Sequence, residues 1–161
     1  MSMKETENIP CLKLIRFCGI EIFPIIEAIW YIHKEKDTNW FLLEVQTNSG
    51  ITCDHEEEVK PFWKLIYNVK NLNEEDLRTS FKIEIPNGNE SVSDWENVTN
   101  FYYFEHEPTH NNTIEILDRN DKKLFIRIEC EVADVNWYDG SKPDNKIIVE
   151  TWFDYGFVDK L

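Results

Sequence analysis

Polar and apolar positions alternate most regularly between Thr113 and Tyr155. Leu124, Ile126, Ile128, Cys130 and Val132 share one parity, and Arg127, Glu129 and Glu131 take the other. A period of two marks a half-buried strand, with one face on a core and one in water. Ile147, Val149, Thr151, Phe153 and Tyr155 repeat the pattern, with Glu150 and Asp154 opposite. Ile114 and Ile116 begin a shorter stretch before the turn chemistry of Asp118-Arg119-Asn120-Asp121. The pattern predicts three consecutive strands.

Upstream the alternation is broken more often. Cys11 to Phe17 alternates imperfectly, Gly19 interrupts, and Ile20 to Phe23 resumes. A strand, a bend and a second short strand ending at Pro24 are expected. Ala28 to His33 and Asn39 to Thr47 are rich in β-branched and aromatic residues, and the polar run Lys34 to Thr38 makes them a hairpin. Ile51 to Cys53 opens another short strand. Asp54 to Leu72 fits two periods, but Pro61 argues against one continuous helix, and a strand from Phe62 to Val69 is the favoured reading.

Asn73 to Leu77 has the composition of a capped helical turn. Ser93-Asp94-Trp95-Glu96 matches the capping-box pattern without a following apolar period, so it predicts no more than a short turn. Phe81, Ile83 and Ile85 read as a strand closed by Pro86-Asn87-Gly88-Asn89, and Asn100 to Glu105 as another. No repeat or linker divides the chain. The expectation is a single domain over 1–161, with 1–9 a loose tail. Its fold class is mainly β: an antiparallel β-sandwich or strongly curved sheet with at most one or two short helices.

Composition changes this picture in two respects. The 161 residues include 10 Phe, 6 Tyr and 6 Trp, enough aromatic volume for a sizeable core and too much for extended disorder. The net charge is −14, and from Glu84 to Asp121 nine acidic residues face a single base, Arg119. Such a field repels nucleic acid and anionic membranes, whose binders need basic footprints. It attracts basic proteins and speeds their docking, although it also serves solubility alone. No apolar run reaches a membrane span, and the polar first ten residues lack the pattern of a signal peptide, so a cytoplasmic location is expected. Cys11, Cys18, Cys53 and Cys130 contain no C-x-x-C pair and are read as reduced, packing thiols.

Three motifs invite chemistry, and each has a plainer reading. His106-Glu107-Pro108-Thr109-His110 matches H-E-x-x-H, which binds zinc only when a helix brings both histidines to one face. Pro108 and the aromatic run before it argue for a loop instead. Asp134 to Gly140 has the flavour of a calcium loop but the wrong spacing and no closing Glu. Cys53 and His55 are neighbours that would share a face only on a continuing strand. No nucleophile elbow or phosphate-binding glycine loop is present in the sequence. Neither a metal nor a cofactor is expected.

The long connection from Ala133 to Asn145 carries Trp137, Tyr138 and Asp139, large amphipathic side chains and a carboxylate where solvent is expected. Trp152 falls on the face of Glu150 and Asp154, where it either meets a partner or is covered as core. These six residues form the candidate protein-binding set. The sequence therefore points to a non-catalytic acidic domain that binds a basic protein partner, such as an immunity protein neutralising a toxin nuclease. The alternative is a small-ligand-binding or hydrolytic β domain with an aromatic-lined pocket.

Overall fold

A computed structural model describes residues 9–36, 38–54, 57–69, 81–87, 97–134, 137 and 139–156. Among them the chain is all β, without a helix. Twelve strands run in order: β1 (Cys11–Arg16), β2 (Gly19–Glu35), β3 (Thr38–Thr47), β4 (Gly50–Ile51), β5 (Glu58–Val59), β6 (Phe62–Val69), β7 (Phe81–Asn87), β8 (Asn97–Tyr102), β9 (His106–Pro108), β10 (His110–Asn120), β11 (Lys123–Val132) and β12 (Asn145–Tyr155). The two helical turns read at 73–77 and 93–96 fall outside the described residues.

Ten strands form one strongly curved sheet in the order β7-β10-β11-β12-β1-β2-β3-β6-β8-β9, and β4 and β5 form a separate pair. The sheet closes on itself because β9 runs into β10 through Thr109. β9 pairs with β8, while β10 pairs with β7 and β11. The pairings thus make a circuit, which removes most of the open edges a sheet of this width would otherwise present. Buried polar groups hold the junction. Thr109 Oγ1 donates to Asn112 Oδ1 at 2.6 Å, Asn112 Nδ2 donates to Ile85 O at 3.0 Å, and Thr99 Oγ1 donates to Thr109 O at 2.9 Å.

β2 departs from the sequence expectation. Two short strands with a stop at Pro24 were expected; instead one strand of 17 residues runs through Pro24. The proline is tolerated because β2 changes partner there. Its first half pairs with β1, ending at Cys11↔Pro24, and its second half pairs with β3 from Ile25↔Thr47. A bulge between Ile25 and Glu27 inserts the extra residue that reverses parity. Hence Glu21 and Phe23 point inward before it, and Ala28, Trp30 and Ile32 after it. The turn read at 118–121 also shifts: β10 extends to Asn120, and the reversal falls at Asp121-Lys122, where Asp121 takes a positive φ of 55°.

The inner face is filled. Leu12, Leu14, Phe23, Trp30, Phe41, Trp63, Phe101, Leu124, Ile126, Ile128, Val149 and Phe153 are buried together in one cluster. Cys130 packs among them as the alternation predicted, and burial pushes its thiol up to about 12. A second, smaller cluster (Tyr31, Trp40, Leu42, Ile66, Val98) lies on the opposite face of β2, β3, β6 and β8. The expected strand from Phe62 to Val69 is β6. Charges on β11 and β12 point outward while the apolar set points in, the reverse of a membrane-spanning barrel.

Candidate functional site

Two polar constellations stand out. One closes an end of the barrel, and the other lies on its outer surface around Trp152.

At the closed end, Arg16 continues the inward parity of Leu12 and Leu14, so β1 delivers a guanidinium into the interior. It is fully saturated. Nε and Nη2 donate to Asp134 at 3.2 and 3.1 Å, Nη1 and Nη2 donate to Asp54 at 2.8 Å each, and Nη1 donates to Glu21 at 3.0 Å. Those bonds use all the N–H donors a guanidinium has. Glu21 also accepts from the Tyr103 hydroxyl at 2.6 Å and from the Cys53 amide at 3.0 Å. Burial works against the charge on Arg16, but the carboxylates of Asp54, Asp134 and Glu21 prevail and hold its pKa above the ordinary range. Burial, then the bond to the Glu21 carboxylate, pushes the Tyr103 phenol up as well. A guanidinium with no spare donor cannot take an anionic substrate. This cluster is an ionic staple joining β1, β2 and the loops that carry Asp54 and Asp134.

No motif in the sequence marks this cluster. The signal was present: Arg16 and Glu21 share parity with Leu14 and Phe23, and charges at inward positions come in opposite pairs when buried.

Beside the staple, Cys18 and Cys53 are joined in a disulfide, with Cα atoms 5.9 Å apart. This corrects the reading of four free thiols; Cys11 and Cys130 alone are free. The error arose because spacing along the chain says nothing of the turn tips that meet in space. Cys18 Sγ, Cys53 Sγ and an Asp54 oxygen lie within 4.8 Å of one another. They make a poor metal set, since both Asp54 oxygens already accept from the Arg16 cation.

The outer site is built on β12. Its ladder with β1 ends at Leu12↔Val149, and its parallel pairing with β2 begins at Asp154↔Ile29. Between these, Trp152 stands 38% exposed against Phe125, with ring centroids 5.3 Å apart. It therefore is not the core residue of the alternative reading. Trp152 borders two hollows. One, of about 700 Å³, is lined by Ile9, Cys11, Lys13, Phe125, Ile148 and Glu150 among others. The second, of about 470 Å³, is lined by Ile25, Ile26, Glu27 and Asp154 with Trp152. The apolar surface continues across the strands, because Lys13 faces Ile148 on one side and Ile22 on the other, and Ile15 faces Ile20. Glu150 is bonded to Arg127 at 2.6 Å, and Asp154 pairs with Lys123 at 3.2 Å.

The candidate set divides into two. Glu150, Trp152 and Asp154 come together at the hollows. Trp137 and Asp139 lie on the loop that precedes Asn145, at the other end of β12. Seven residues of strand separate Asn145 from Trp152, roughly 20 Å. Trp137 is 39% exposed, with the Lys142 ammonium 5.3 Å from its ring, and Asp139 accepts from the Ser141 amide. Tyr138 lies outside the described residues, as does His55.

The H-E-x-x-H motif lies on β9 and β10, not on a loop. His106 packs against the Tyr102 ring, while His110 is bonded to Asp144 at 2.9 Å. Strand geometry spreads residues four apart by roughly 13 Å, too far to share one ion.

The fold and these sites define an acidic, closed antiparallel β domain with a filled interior and an aromatic ridge outside. No protein-family model, no curated protein and no solved structure matches the chain.

Proposed function

We propose that this is a non-catalytic acidic domain that binds a basic protein, with the Trp152 ridge as the centre of its docking surface. The observation that carries the reading is Trp152 itself: a large aromatic, part exposed, on a central strand between two hollows bordered by Glu27, Glu150 and Asp154. Exposed tryptophans on rigid elements are frequent binding hot spots. A cationic side chain laid over the indole gains from the ring and from Glu27 beside it, while Glu150 and Asp154 already pair with Arg127 and Lys123. The net charge of −14 supplies long-range attraction for the same class of partner. An inhibitor of a nucleic-acid-binding protein, such as an immunity protein that covers a toxin nuclease, is the most concrete form.

The filled interior supports this reading over a ligand pocket between sheets, because Trp30, Phe41, Trp63, Phe101 and Phe153 occupy the space such a pocket would need.

The test is retention of partners from native lysate, then the affinity of the retained protein for Trp152→Ala. The expected loss is about 2 kcal/mol or more. Unchanged affinity in a folded variant removes Trp152 from the interface and with it this reading. Trp137→Ala serves as the comparison at the other end of β12, since both tryptophans were candidates from sequence.

A further inference from the structure

We propose that Cys18 and Cys53 form a reversible redox site, whose oxidation state sets the order of the β4–β5 lobe over the Arg16 staple. The site has three features that a merely buried cross-link lacks. Both cysteines are exposed to solvent. Both lie on turns outside the main strands: Cys18 in the reversal between β1 and β2, and Cys53 beyond β4. The bond can therefore open without disturbing any ladder of the barrel. Finally, the fold holds the two turns together through other contacts, so the sulfurs remain neighbours when reduced. Arg16 Nη1 donates to Asp54 at 2.8 Å, and the Cys53 amide donates to Glu21 at 3.0 Å. Closure is then intramolecular and favoured over mixed disulfides.

The exchange balances with a small external disulfide as oxidant. One cysteine thiolate attacks that disulfide and expels one thiol, leaving a mixed disulfide on the protein. The second cysteine attacks the mixed bond and expels the other thiol. Two protein thiols become one protein disulfide, one external disulfide becomes two thiols, and the two protons lost by the cysteines go to the leaving thiolates. A dithiol such as dithiothreitol reverses it.

The lobe is poised to respond. Its own ladder is two residues per strand, Gly50↔Val59 and Ile51↔Glu58, supplemented by Thr52 N to Glu57 O at 2.9 Å. A pair that short is not stable by itself. It is held to the β1–β2 hairpin by the disulfide, by Asp54 on Arg16, by the Cys53 amide on Glu21 and by Gly50 against Phe23, while Val59 is anchored in the core. Opening the disulfide removes the one covalent tether among these. Cys130 is buried and Cys11 lines the hollow beside Trp152, so neither stands in the lobe.

The experiment measures free thiols under native conditions and amide hydrogen exchange, each in dithiothreitol and in a buffer of oxidised glutathione. Two thiols should appear and disappear as a pair. The amides of Thr52 and Cys53 should exchange at least tenfold faster in the reduced protein, while those of β11 and β12 stay unchanged. Cys18→Ser should show the reduced pattern without any reductant. A native thiol count that is the same in both buffers would overturn the proposal. So would equal exchange at Thr52 and Cys53 in both states, or a Cys18→Ser variant that keeps the oxidised pattern.

Discussion

Removing the Arg16 side chain would take away the buried cation that Glu21, Asp54 and Asp134 share at the barrel end. Breaking a buried pair costs far more than the pair contributes, because the remaining charge has lost both water and partner. Arg16→Ala should lower the unfolding free energy by about 3–5 kcal/mol in urea titrations. Arg16→Lys should recover little of it, since an ammonium offers three donors at one point where two carboxylates are gripped two-handed. A loss under 1 kcal/mol for Arg16→Ala would mean the staple is decorative. The Arg127–Glu129 pair is the surface counterpart. Its hydrogen bond from Arg127 holds Glu129 below the usual carboxylate range. The sign follows: that contribution is present above the ordinary carboxylate pKa and fades as pH falls through the lowered value. Glu129→Gln should therefore flatten stability against pH on the acid side, with a small effect because the pair is exposed. At this scale Cys130 was legible, because strand parity placed it inward. Arg16 and the Cys18–Cys53 bond were harder, since one needs parity carried across an apparent rule against buried charge and the other needs two turns to meet.

Among elements, β2 is the one the others depend on. It serves both halves of the sheet, and its bulge between Ile25 and Glu27 lets one chain face the core on both sides of a change of partner. The alternation of β11 and β12 was readable because each keeps one parity from end to end. β2 was not, because Pro24 and the parity reversal coincide and imitate a chain break. The H-E-x-x-H segment differs from its sequence pattern for a related reason: proline and two asparagines suggest a loop, yet the missing amide of Pro108 and the positive φ of Asn111, 48°, fit the junction where β9 gives way to β10. β4 packs on β2 through Gly50, where an added Cβ would stand 2.6 Å from the Phe23 ring and 2.9 Å from the Ile22 carbonyl. Gly50→Ala should cost about 1–3 kcal/mol, as overpacking of a filled site does. Thermal unfolding checks it, and an unshifted midpoint would show that the lobe moves aside without consequence.

For the molecule as a whole, charge and closure act on different ends of function. Closure of the sheet fills the interior, so the proposed recognition is assigned to the outer surface. The net charge of −14 determines what that surface attracts from a distance. The acidity, and Glu150, Trp152 and Asp154 as one strand face, are legible in the sequence. It had no means of placing Trp137 at the far end of β12, because that follows from where the strand begins. Stopped-flow association of the retained basic partner, for wild type and Trp152→Ala over a range of ionic strength, tests the central claim most directly. Steering acts before contact and the indole acts after it. The account predicts an association rate that falls tenfold or more with salt for both proteins, and a dissociation rate raised by Trp152→Ala alone. Association indifferent to salt, with equal dissociation from both proteins, would contradict it.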